Sequence, residues 1–156
     1  MSDELKIIRG LSLTRPWPFA FVNGPEPLQK RVENRSWKPP QYIIGNYLAL
    51  HAAKSWAEDG REFIADVLGM DVPGNADSPH GEIFAVCRVA GYVEDTSDDR
   101  LTPEQRGWFF GPYGRLLDDF VQLVEPVPCM GAMGLWGFEK KLEALAALRD
   151  SYRKSI

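Results

Sequence analysis

The sequence has little cysteine and little histidine, two of each in 156 residues, and neither type forms a CxxC or Cys/His cluster. That scarcity excludes a disulfide framework and a dedicated metal site, so Cys87 and Cys129 are expected as free thiols in a reducing, cytoplasmic setting. No stretch approaches the roughly 20 apolar residues of a membrane helix, so no membrane partner is expected. The first residues, Met1 to Lys6, open with acids and lack the apolar segment of a secretion signal. Repeats, low-complexity tracts and linker-like segments are missing as well, and the length suits one domain spanning 1–156. Positive charge is also short: 18 Lys/Arg against 22 Asp/Glu leave a net charge of −4. Such a balance excludes a protein that coats nucleic acid indiscriminately.

The basic residues that are present are unevenly placed. Residues 1–54 hold eight Lys/Arg against four acids, and the remainder holds ten against eighteen. The segment charges, +4 and −8, suggest a local anion-binding face on an acidic body.

Hydrophobic patterning predicts more strands than helices. Strands are expected at Ile7–Leu13, Arg31–Trp37, Gly45–Ala53, Gly81–Glu94 (bulged at Gly91), Asp119–Val127 and Gly134–Phe138. Between them fall a short helix at Phe19–Val22 and a helix from a Ser55 cap to Leu68, with Glu58 as capping-box partner and Gly69 as the stop. A helical turn opens at Thr102-Pro103, and a terminal helix spans about 140–155, with Leu142, Leu145, Ala146, Leu148 and Tyr152 as its core stripe. The order β-α-β-β-α-β-α-β-β-α is too irregular for a doubly wound parallel sheet. It suggests an α+β, mainly β, fold: a small barrel with helices packed outside.

Chemistry concentrates between Ser12 and Trp37. Strict alternation puts Arg31, Glu33, Arg35 and Trp37 on one face of the second strand and Lys30 on the other. That face is either a solvated salt-bridge surface or a groove, with arginines on phosphate, Trp37 stacked on a base and Glu33 orienting them or moving a proton. Arg15 and Trp17, at the mouth between first strand and first helix, offer a further cation and either a core plug or a stacking surface. His51 is a cleft-facing donor or a plain strand-end histidine. The turn Trp108-Phe109-Phe110-Gly111-Pro112-Tyr113 is a barrel plug, or a lid presenting Tyr113 and Trp108 to a base. His80 and the acidic loop Glu94–Asp99 read as solvated, and no cofactor is expected.

In order and spacing, three elements resemble the ASCH domain, a family related to PUA domains: Leu13-Thr14-Arg15-Pro16-Trp17, Lys30-Arg31-Val32-Glu33-Asn34-Arg35-Ser36-Trp37 and Gly45-Asn46-Tyr47-Leu48-Ala49-Leu50-His51-Ala52-Ala53. The family signature G-x-K-x-x-E-x-R is matched by Lys30, Glu33 and Arg35. The likeness continues through Gly81-Glu82-Ile83-Phe84-Ala85, Pro126–Gly131 and Leu135-Trp136, and so covers about residues 7–139. One departure stands out: five residues, Pro25 to Gln29, separate Gly24 from Lys30 where the pattern has one. The resemblance implies a PUA-like small mixed β-barrel whose cleft receives RNA, single-stranded nucleic acid or a modified nucleotide, with a monomer favoured. Arg15, Trp17, Lys30, Arg31, Arg35, Trp37, His51 and Tyr113 are then the nucleic-acid-binding candidates. Some relatives are hydrolases, one branch acting on N4-acetylcytidine with a lysine, a threonine and a glutamate, another with ribonuclease activity. For that alternative Lys30, Glu33 and Thr14 are the catalytic candidates.

Overall fold

The computed structural model describes residues 8–156; the expected start of the first strand, Ile7, lies outside them. Strands β1 (Ile8–Arg15), β2 (Val32–Arg35), β3 (Tyr47–Trp56), β4 (Glu82–Val93), β5 (Tyr113–Pro128) and β6 (Leu135–Trp136) alternate with helices α1 (Trp17–Val22), α2 (Glu58–Leu68), α3 (Pro103–Arg106) and α4 (Leu142–Ser155). Their order is the one expected from the sequence. Among the described residues these strands join one mixed sheet, β2-β5-β4-β3-β1-β6, in which only β1 and β3 run parallel.

The sheet is open: β2 and β6 are its edges, and no main-chain ladder joins them, so the expected closed barrel is not what the hydrogen bonding gives. A side chain crosses the gap instead. Arg35 Nη2 on β2 donates to the Ser12 carbonyl on β1 at 2.8 Å, linking strands that are four places apart in the sheet. The sheet therefore curls enough for β2 to face β1.

β3 carries apolar residues on both faces because both are covered, as a central strand requires. Tyr47 and Ala49 pack with Ile83, Leu123, Trp136, Leu148 and Tyr152 under α4, whereas Leu48 and Leu50 pack with Leu11, Leu13, Phe21 and Cys87 inside the curl. A third cluster, including Ala20, Ile64, Leu68 and Trp108, lies under α1 and α2. Cys87 and Cys129 are free thiols. Among the described residues no helix is long and apolar enough to cross a membrane.

Local chemistry explains where elements start and stop. Gly69 ends α2 at φ 64° with its N–H on the Ala65 carbonyl, and the Thr102 hydroxyl accepts from Gln105 N at the start of α3. The expected cap of α2 is not used. Ser55 belongs to β3 and donates to Thr14 Oγ1, and Ala57 occupies the cap position without a side-chain bond. On α4 the buried stripe is narrower than expected, with Leu148 and Tyr152 inside, Leu142 at 68% exposure and Ala146 exposed. β5 starts six residues earlier than expected, because the end of the aromatic turn is itself paired to β2. The bulge expected at Gly91 is present as a register shift between Val89 and Gly91.

β6 is held through Gly10. A Cβ at that position would lie 2.2 Å from the Trp136 ring, so only glycine lets the indole lie flat on β1. Gly10→Ala is expected to cost about 1–3 kcal/mol through overpacking. Urea unfolding monitored by fluorescence measures it; an unchanged midpoint would show that β6 is not anchored this way.

Candidate functional site

Glu33 is the centre of the site. β2 and β5 hold it by pairing Glu33 with Arg115, and its side chain is only 10% exposed. One carboxylate oxygen lies 3.3 Å from Lys30 Nζ, and the other accepts from Arg35 Nε at 3.0 Å. Lys30 Nζ also donates to the Val32 carbonyl and sits over the Phe21 and Trp17 rings at 4.9 and 5.7 Å. Burial lowers the lysine pKa, the Glu33 charge and hydrogen bond raise it in part, and Arg35 lowers it again.

Lys30 converges with Glu33 and Arg35 in spite of the long loop before it, because that loop is tied down. The segment Glu26–Leu28 forms a 3-10 turn, and the carbonyls of Pro27, Leu28 and Gln29 are taken up by α3 and the residues after it: Gln105 Nε2 donates to Pro27 O and Gln29 O, and Trp108 Nε1 to Leu28 O. Strand pairing begins only at Val32, so strict alternation does not apply to residues 30 and 31. Lys30 joins Glu33 and Arg35, while Arg31 turns away to pack on Phe120 and donate to Phe21 O and Gln29 Oε1. This reverses the assignment of the two residues drawn from alternation.

The three charged residues line an inner cavity of about 260 Å³, together with Ser12, Thr14, Trp17 and Phe110. It shares Ser12, Thr14 and Arg35 with a broader outer cleft of about 1090 Å³, whose rim includes Trp37, Lys54, Met130 and Met133. The outer cleft is lined by two cations, Arg35 and Lys54, by His51, and by no carboxylate. Of the eight basic residues in positions 1–54, Arg35 and Lys54 thus reach the outer cleft. Met130 and Met133, 81% and 97% exposed, give the rim a flexible apolar edge.

Not every expected residue reaches this cleft with a free group. Arg15 is buried, and its five N–H donors are matched by five hydrogen bonds, to Ala53 O, Lys54 O, Ser78 O, Asn75 O and Asn75 Oδ1. It clamps β1 to the end of β3 and the loop after α2 rather than offering a hand to phosphate. His51 is buried with both ring nitrogens engaged: Nε2 with Cys129 O at 2.7 Å and Nδ1 with Ser12 Oγ at 3.2 Å. The carbonyl must accept, so Nε2 carries the proton and Nδ1 accepts from Ser12. Burial lowers the His51 pKa, consistent with that neutral ring. Tyr113 packs on Tyr92 and does not line the inner cavity. Trp17 packs on Phe63 and Phe110, as a core plug does, and also walls the cavity. The aromatic turn divides: Trp108 is a fully buried plug and Phe110 is the half-exposed lip.

Sequence reasoning missed Ser12, Asn34 and Arg115, and picked Trp108 and Tyr113 rather than Phe110 as the residues the aromatic turn presents. Ser12 is a hub that accepts from Trp136 Nε1, bonds His51 and offers its carbonyl to Arg35. Asn34 pins the aromatic turn, accepting from Phe110 N and Gly111 N and donating to Trp108 O. An asparagine inside a strand, where that residue is disfavoured, was the available signal. Among the described residues no three His, Cys, Asp or Glu side chains gather as a metal-binding group. Neither a protein-family model nor a curated protein sequence matches the chain.

The lysine carries a pH signature. Its pKa is lowered by folding, so the unfolded chain binds more protons between the folded value and the ordinary 10.5. Stability owed to Lys30 therefore rises with pH through that window and is flat below it. Unfolding free energies of the wild type minus those of Lys30→Met are expected to climb as the pH approaches the ordinary lysine value of 10.5 from below. A flat or falling difference would mean that the lysine is not desolvated.

Proposed function

We propose that the chain binds single-stranded RNA or a modified nucleotide, with one base in the inner cavity and the flanking backbone in the outer cleft. The observation that carries this reading is the two-part cleft: a small aromatic-walled cavity, floored by a charged cluster, continuing into a wider groove lined by cations and no acid. The inner cavity is below the roughly 300–1,000 Å³ usual for a drug-sized ligand. It suits a fragment such as a base, which would meet the Trp17 and Phe110 rings and find donors on Lys30 and Arg35 and an acceptor on Glu33. Trp37, half-buried at the rim, offers a ring to a neighbouring base, and Arg35 and Lys54 offer charge to phosphate. The resemblance to ASCH and PUA-like domains supports the same reading, and the curl bridged by Arg35 is the nearest approach to their barrel.

Fluorescence titration with short single-stranded RNA tests this. Trp37→Ala is expected to weaken binding by about 1–3 kcal/mol, the worth of one stacked base. Arg35→Ala is expected to weaken it and to lower the salt slope by about one. Full-strength binding by both variants would refute the reading.

One observation favours a hydrolytic alternative. Lys30, with its lowered pKa, lines the same cavity as Glu33 and Thr14, so a desolvated amine, a carboxylate and a hydroxyl surround one ligand-sized space. On this reading Lys30 acts as base or nucleophile on an acylated nucleoside such as N4-acetylcytidine, or on RNA. Conversion that is abolished in Lys30→Met while the fold is retained would establish it. Binding without conversion would leave recognition as the function.

A further inference from the structure

Arg115 is a buried charged group beside the cleft whose hydrogen bonding is left open among the described residues. It stands on β5 directly opposite Glu33 of β2, and directly opposed residues of an antiparallel pair project from the same face. Its side chain is therefore on the Glu33 side of the sheet. The residue is only 3% exposed, and its Nη1 and Nη2 are buried without a hydrogen-bond partner among the described residues. The Trp37 ring covers the guanidinium, with Arg115 Cζ 4.3 Å from the ring centroid. Burial lowers the Arg115 pKa to about 10, with the Arg35 charge acting in the same direction and Glu33 against it. Glu33 is already engaged by Lys30 and Arg35, so it does not release Arg115 from its need for an anion.

A buried guanidinium with two unpaired edges is costly, because its lost hydration is not replaced. Cation–π contact with Trp37 offsets part of that cost but satisfies no N–H. The forked geometry of such a group suits a phosphate or carboxylate oxygen pair. Its cover is a side chain of the cleft rim, which lies beyond the end of β2 and so outside the strand ladder.

We infer that Arg115 is a concealed phosphate-binding group: Trp37 turns aside when ligand enters, and the guanidinium takes the phosphate ester of the bound nucleotide. The inference rests on the proposed nucleotide recognition and narrows it, making phosphorylated ligands the preferred class over free nucleosides. It also gives Trp37 a second part, as the shutter of that anion site as well as a stacking ring. The phosphate belongs either to a mononucleotide or to a strand, and the same contact serves both.

Calorimetry with the ribonucleosides, their 5′- and 3′-monophosphates and short oligoribonucleotides separates the outcomes. Wild type is expected to prefer a phosphorylated ligand over its nucleoside by about tenfold or more, the lower end for hydrogen bonds made by a charged group. Arg115→Gln should bind nucleosides as wild type does and lose most of that preference. Preference for monophosphates assigns the contact to a terminal phosphate, and preference confined to oligoribonucleotides assigns it to a strand. Nucleoside binding with no phosphate preference, or a preference untouched by Arg115→Gln, overturns this inference alone. Equal losses for nucleoside and nucleotide in Arg115→Gln also overturn it, since the residue would then only support Trp37. Failure of every nucleoside, nucleotide and oligonucleotide to bind overturns the underlying reading together with it. Should Arg115→Gln fail to fold, Trp37→Ala serves instead. That variant uncovers the guanidinium and should bind inorganic phosphate several-fold more tightly than wild type, and an unchanged affinity overturns the inference.

Discussion

The structure of the cleft depends on one carboxylate shared by two cations. Glu33 is nearly buried, and it is held there because Lys30 and Arg35 each take one of its oxygens. Breaking such a cluster by removing a single partner costs several kcal/mol, because a charge is then left in low dielectric without a counter-charge. Arg35 has a further duty. Its hydrogen bond to Ser12 O is a link between β2 and β1 across the open side of the sheet. The same residue thus shapes the curl, neutralises the glutamate and lines both parts of the cleft.

Around this centre the fold sorts cations by task. Arg15 spends every donor on main-chain and side-chain oxygens and is structural. Arg31 packs on Phe120 and ties the loop before β2 to α1. Arg88 pairs with Asp118, and Lys154 with Glu125 and Asp150, in exposed bridges that contribute little. Lys30, Arg35, Lys54 and Arg115 remain close to the cleft, against the one acid Glu33. A chain of net charge −4 thereby gathers these cations beside Trp17 and Trp37. Charge gathered in a partly enclosed groove acts more strongly than the same charge spread over a surface.

Much of this was legible in the residues and some was not. The element order followed from apolar patterning, since glycine and proline punctuate nearly every turn, and Thr102-Pro103 and Gly69 marked their helix ends correctly. Lys30, Glu33 and Arg35 were recognisable as a unit only through the family resemblance, since alternation put Lys30 on the other face. Strand alternation failed at Arg31 because the ladder starts one residue later, a detail fixed by Gln105 and Trp108 from distant sequence. The capping role of Ser55 failed for a similar reason, since tertiary pairing extended β3 through it. Arg115 lies 82 residues after Glu33 and becomes its neighbour only through β2–β5 pairing, which nothing local announces. Closure into a barrel was expected from the strand pattern as well as from the resemblance, whereas the ladder leaves two edges and a side chain of β2 reaches across to β1.

Ligand binding in the Glu33-centred cleft is open to direct measurement. Nuclear magnetic resonance of the arginine Nε–H and tryptophan Nε1–H groups during titration with short single-stranded RNA tests it most directly. Shifts are expected for Arg35, Trp17 and Trp37, with Arg15 and Trp108 unmoved because their donors are already committed inside the fold. Saturable shifts confined to groups away from the cleft, with Arg35 and Trp37 silent, would contradict it.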